Sequence, residues 1–196
     1  MSETPHAPHG TLPQGGRVRP ITRWGTPVMH RPQARVTSFD ADLTALAADM
    51  VATMYAADGV GLAACQIGED VAMFVFDCPD DSGRHTVGVV CNPVLVLPEG
   101  KDRHLEEDDE GCLSFPGAFV PCARPDHARV EGVGLDGEPV AFEGDGLLAR
   151  CLQHETDHTL GTVFGDRVAT KQRKRLQKAH DKAVADYPPG WPAEED

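Results

Sequence analysis

Apolar residues recur at helical spacing through "SFDADLTALAADMVATMYAADG", where Leu43, Leu46, Ala47, Met50, Val51 and Met54 share one face. Ser38 or Asp40 suits the start of this predicted helix, and Gly59 suits its end. The runs "VAMFVFDC" (71–78) and "TVGVVCNPVLVL" (86–97) are apolar and β-branched, which predicts strands. In "ARVEGVGLDGEPVAFEG", Asp136-Gly137 separates two strand-like runs and predicts a hairpin turn. A second helix is predicted over "DGLLARCLQHETDHTLG", with Asp145 as its cap. Leu147, Leu148, Cys151 and Leu152 form its apolar stripe, and His154 and His158 continue that stripe inward. A basic helix follows at about 169–186. This order lacks regular βαβ alternation, so an α+β fold is expected.

Residues 1–16 are rich in Pro, Gly and His without periodicity, and they read as a disordered tail. "YPPGWPAEED" (187–196) reads the same way. Between them, 17–186 shows no linker and no repeat, as expected of a single domain.

Composition narrows the function classes. The hydrophobic share, 40%, is that of an ordinary globular protein. A formal net charge of −13 argues against binding DNA through bulk charge. No run of about 18 apolar residues predicts a membrane span. The N-terminus also lacks an apolar signal core, so a cytoplasmic location is expected. Six cysteines are scattered without a C-x-x-C pair, which suits free thiols or ligands better than disulfides.

The candidate chemistry lies in His154-Glu155-Thr156-Asp157-His158. Two histidines four apart on a helix share a face and can grip one metal ion, while Glu155 can take a proton from an activated water. A catalytic metal usually has three protein ligands and one open position. A downstream third ligand is hard to find. Phe164 occupies the place where one protease group has its histidine, and the later glutamates, Glu194 and Glu195, fall in the tail. The best upstream candidate is Cys112 in "DEGCLSFPG", whose thiolate suits zinc or iron(II). On spacing alone, an inert buried cysteine remains the alternative.

Three segments together, "GVGLAACQIG" (59–68), "EGCLS" (110–114) and "QHETDH" (153–158), resemble the signature motifs of peptide deformylases, in the same order. "RWGTPVMH" (23–30) resembles that family's N-terminal segment. The resemblance implies antiparallel or mixed sheets packed around a central metal-binding helix. It implies removal of the formyl group from N-terminal formyl-methionine of nascent peptides, releasing formate. Cys112, His154 and His158 would hold one divalent metal ion, iron(II) in the cell, with zinc, nickel or cobalt as possible substitutes. Glu155 would act as the proton carrier. The Gln66 side chain and the Leu113 backbone N–H would stabilise the oxyanion. Gly61 would pair with the substrate backbone, and Val60, Leu147 and Cys151 would line the methionine slot. Thr26, Met29, Phe115 and Thr159 depart from the family pattern at positions outside this chemistry.

The acceptor for a ligand histidine's second N–H stays open between Asp157 and Glu110, and Glu110 could equally pair with Arg124. "KQRKRLQKAHDK" (171–182) holds six Lys and Arg residues. It reads either as a solvated helix face or, with the resemblance, as a contact to ribosomal RNA. Two rival readings remain: a zinc metallopeptidase, and a non-catalytic protein with a closed Cys/His metal site.

Overall fold

The computed structural model describes residues 11–193. Its main sheet contains β1 (Gly61–Ala63), β2 (Met73–Pro79), β3 (His85–Val96), β6 (His127–Val133) and β7 (Pro139–Asp145), all antiparallel and in the order β1-β2-β3-β6-β7. A separate two-stranded ribbon pairs β4 (Leu105–Gly111) with β5 (Phe119–Pro125). The helices are α1 (Ala41–Ala56), α2 (Gly146–Thr159), the short α3 (Phe164–Arg167) and α4 (Thr170–Ala183). The fold is α+β, as the element order predicts.

The sheet separates two cores. Side chains alternate along β2, so Met73 and Val75 join Met50 and Met54 of α1 on one face, while Phe74 and Phe76 join Leu152 of α2 on the other. Both faces of this strand are covered, which is why its sequence is a continuous apolar run. The hairpin turn at Asp136-Gly137 forms as predicted, with Gly137 at φ 83°.

Asp40 caps α1, its carboxylate accepting the Leu43 N–H at 3.0 Å. The end of α1 differs from expectation. Asp58, not Gly59, adopts the left-handed conformation, at φ 54°. Gly59 packs against Leu113 instead: a Cβ there would lie 2.6 Å from Leu113 Cδ1. Asp145 sits at the N-cap of α2 without a side-chain cap bond, and its carboxylate instead meets His127 Nδ1 at 2.7 Å.

The periodicity gives no sign of the β4–β5 ribbon. "LEEDDEG" has no apolar alternation, and its first five residues are exposed, so only pairing with β5 makes it a strand. The tails also differ from expectation where they are described. Leu12 is buried in the α1-side core, and Gly16 lies so close to α1 that a Cβ would overlap the Ala48 backbone at 2.0 Å. Residues 187–193 fold against the body: the Ile21 N–H donates to the Trp191 carbonyl at 2.9 Å, and Arg23 Nη2 donates to the Pro188 carbonyl at 3.2 Å. Residues 1–10 and 194–196 of the predicted tails lie outside the described residues. Among the described residues no helix is long and apolar enough to cross a membrane.

Candidate active site

From Cys151 to Thr159 every residue of α2 is buried, because the helix lies between the main sheet and the ribbon. Polar side chains at such depth need partners. Gln153 donates to the Pro125 carbonyl at 2.9 Å, and Thr156 to the Leu152 carbonyl at 2.7 Å. Asp157 accepts from Arg124 Nη1 at 3.0 Å and from Arg167 Nε at 3.0 Å.

His154 and His158 turn their Nε2 atoms toward each other, 3.1 Å apart, and Cys112 Sγ lies 3.4 Å from His158 Nε2. All three donor atoms fall within 4.8 Å of one another. Two imidazoles and a thiolate bound tetrahedrally to one zinc-sized ion would be separated by about 3.3–3.6 Å, given ordinary Zn–N and Zn–S lengths. The donor chemistry and the spacing both fit a single divalent cation.

Glu110 decides how His154 is held. Its Oε1 meets His154 Nδ1 at 2.7 Å, which leaves Nε2 free to act as a ligand. The same carboxylate accepts both Nε and Nη2 of Arg124, each at 2.7 Å, and Nη1 of Arg150 at 2.9 Å. The choice left open by the sequence is therefore not exclusive: Glu110 orients the histidine and pairs with Arg124. Burial opposes ionisation of Glu110, but the bonds from Arg124 and His154 outweigh it and hold the carboxyl well below the usual range. Burial pushes His158 down, which favours a neutral imidazole.

Glu155 has different surroundings. Its Oε2 is buried without a hydrogen-bond partner among the described residues. Burial pushes its carboxyl up to about 7, opposed by the charge of His154. A buried carboxyl that titrates near neutrality is well placed to take and return a proton. Gly61 packs directly on it, since a Cβ there would lie 2.6 Å from Glu155 Oε1 and 2.7 Å from Cys151 Sγ.

Gln66 is held by a bond that also defines its orientation. The Ala63 N–H donates to Oε1 at 2.8 Å, so the amide nitrogen points to Ser114 Oγ at 3.3 Å and Cys112 Sγ at 3.6 Å. Every site residue expected from the sequence except His158 lines one cleft of about 500 Å³, and His158 lies behind it, fully buried. Leu147 stands exposed at the rim and Cys151 is buried at the wall. β1 is an edge strand of the main sheet and borders this cleft.

This combination, a Cys–His–His cluster with an adjacent unpaired Glu at the end of a cleft, agrees with what sequence comparison finds. A sequence model of the polypeptide deformylase family matches residues 18–174. The chain belongs to the polypeptide deformylase family. Peptide deformylase 1 of Streptomyces avermitilis is 52% identical over 159 residues, spanning 81% of this chain and 74% of the relative. Peptide deformylase 2 of Streptomyces coelicolor is 48% identical over 170 residues, spanning 86% of this chain and 93% of that one. The crystal structure of the Legionella pneumophila deformylase superposes with a TM-score of 0.76 at 35% identity, covering 87% of this chain and 99% of that one. The Synechococcus elongatus deformylase, solved with actinonin, gives 0.73 at 38% identity, covering 84% and 86%. Deformylases are metal-dependent enzymes, and the Cys/His cluster is consistent with that.

Sequence reasoning missed several contributors. Ser114 and Arg150 carried no signal of their own beyond the motif and helix that contain them. Tyr187 and Trp191 line the cleft although they fall in the stretch read as a tail. An aromatic pair four apart among prolines was the available hint. Phe164, at the position where a downstream histidine ligand would lie, stacks on the His154 ring at 6.0 Å. Glu194 and Glu195 lie outside the described residues. Phe115 packs against Trp24 at 5.2 Å and His180 at 4.5 Å, helping to seat α4 on the body.

Proposed function

We propose that this chain removes the formyl group from the N-terminal formyl-methionine of newly made proteins, releasing formate. The observation that carries this reading is the convergence of Cys112 Sγ and two Nε2 atoms beside an unpaired buried Glu155, at a cleft bordered by an edge strand. In this reading Cys112, His154 and His158 hold one divalent cation, with iron(II) in the cell. Zinc, nickel and cobalt suit the same donors. When bound, the cation supplies Lewis acidity and lowers the pKa of water at its open position.

The chain's own residues do the rest. Glu155 takes the water proton at its carboxylate and returns it to the departing amine nitrogen. The Gln66 amide and the Leu113 N–H stabilise the charge that develops on the formyl oxygen, and the bond from Ala63 holds Gln66 ready for this. The free edge of β1, with Gly61, pairs with the peptide backbone like an added strand. Val60, Leu147 and Cys151 receive the methionine side chain. A peptidase would need its third ligand downstream, and none of the described downstream residues joins the cluster.

The catalytic unit is a single domain that extends the expected 17–186 to the packed Leu12 and to the cleft-lining Tyr187 and Trp191, and the enzyme works in the cytoplasm. Helix α4 offers its exposed Lys and Arg residues to ribosomal RNA. The test uses protein loaded anaerobically with iron(II), a formyl-Met peptide, and an assay for formate. Formate is released, and Glu155→Ala abolishes release while the metal content is retained. Cleavage of internal peptide bonds without formate would overturn the reading.

A further inference from the structure

The C-terminal segment forms one wall of the cleft. Helix α4 ends at Ala183, and the chain then turns through Val184–Asp186 and runs back over the body. Arg23 and Ile21 hold its backbone: Arg23 Nη2 donates to the carbonyls of Tyr187 and Pro188, and the Ile21 N–H donates to that of Trp191. These bonds use main-chain atoms and leave the two aromatic rings to do something else. Tyr187 and Trp191 meet edge to face at 4.9 Å, both are half-buried, and both line the same cleft as Cys112 and Glu155. The Arg23 guanidinium backs the Trp191 ring at 6.0 Å. Gly117 allows the approach, because a Cβ there would lie 2.4 Å from Ala183 Cβ and 3.1 Å from the Tyr187 ring.

Resting on the deformylase reading above, we infer that Tyr187 and Trp191 are specificity-determining residues for the part of the peptide that follows the formyl-methionine. In that reading the formyl group, a single carbon, would sit at the cation held by Cys112, His154 and His158. The methionine side chain is taken by Val60, Leu147 and Cys151. The substrate part left to meet the aromatic wall is the chain after the methionine. Leu113 and Phe115 line the same cleft as the two rings, and this apolar lining selects apolar side chains over small polar ones.

The test compares formyl-Met-Leu-Leu-Ser with formyl-Met-Ser-Ser-Ser on the full-length, iron(II)-loaded enzyme. The apolar peptide is preferred by roughly 10-fold in kcat/KM, the size expected for a few buried methylenes, and KM carries the difference. Tyr187→Ala and Trp191→Ala shrink that preference to about twofold, while Tyr187→Phe keeps it, because the ring rather than the hydroxyl forms the wall. Trp191 also packs on the core, so if Trp191→Ala fails to fold, the more peripheral Tyr187→Ala decides. An unchanged preference in an alanine variant that melts like the parent overturns the inference. Binding of the two peptides to Glu155→Gln holoenzyme, followed by tryptophan fluorescence, reads the same preference without turnover. A binding preference lost on Tyr187→Ala supports the wall even if no peptide yields formate, and that second result would count against deformylation alone.

Discussion

Gly61 has no room for even a methyl group. A Cβ would lie 2.6 Å from Glu155 Oε1 and 2.7 Å from Cys151 Sγ, so the smallest substitution pushes on the proton carrier itself. Gly61→Ala is expected to lower kcat by about 100-fold, since displacing a reacting group by about an ångström has that effect. Overpacking is expected to cost about 1–3 kcal/mol of stability as well. Formate kinetics and thermal melting measure the two separately, and a variant with parental kcat would show that Glu155 does not depend on this contact. The same residue illustrates two readings of a glycine. In the sequence it suggested an approach for the peptide backbone; the structure adds a neighbour on the side-chain side.

At the scale of elements, one arginine joins the ribbon to the central helix. Arg124 on β5 binds Glu110 on β4 and Asp157 on α2, with all three side chains at most 6% exposed. Removing a partner from a buried pair leaves the other charges uncompensated. Arg124→Ala is expected to lose about 3–5 kcal/mol in denaturant unfolding. It should also weaken metal retention, because Glu110 would no longer be fixed against His154. A loss below about 1 kcal/mol would mean that water or Arg150 takes over the role. A more exposed contact lies where β6 meets the start of α2. The bond from Asp145 raises the His127 pKa above its ordinary value. A raised folded-state pKa stabilises fully below the unfolded value, about 6.5, and the contribution disappears as pH rises through the folded value. His127→Gln should therefore cost about 0.2–1 kcal/mol at pH 5.5 and nothing at pH 9, the range for surface pairs. Equal losses at both pH values would contradict this. The Asp157 end of the first contact and the His127–Asp145 contact were not legible in the sequence. Arg124 appeared only as one option for Glu110, and β4 carries no apolar period at all.

For the whole molecule, the donors converge from two distant stretches of chain, β4's end and α2, so a bound cation links them. Filling the site at about 100 times its dissociation constant should add about 2.7 kcal/mol of stability. For a domain of this size that is a rise of roughly 5–10 °C in Tm. Anaerobic calorimetry of stripped and iron(II)-loaded protein checks it, with Cys112→Ser giving a smaller rise. Identical melting would mean that the three side chains do not share an ion. The major helices, the long strands and the hairpin were readable because each carries a local signal (a helical period, an apolar β-branched run, an Asp-Gly turn), and the histidine pair because both partners sit on one helix. Cys112 was readable only as a candidate until the motifs were taken together. The ribbon, the burial of Leu12 and the docking of Tyr187 and Trp191 were not readable. Their stability comes from partners far along the chain, and a polar strand or a proline-rich stretch has no period of its own. The sequence by itself determined which chemical groups are present and how they repeat along each segment. Only the tertiary structure decided which segments face each other across the cleft, because those contacts depend on the packing of the whole chain.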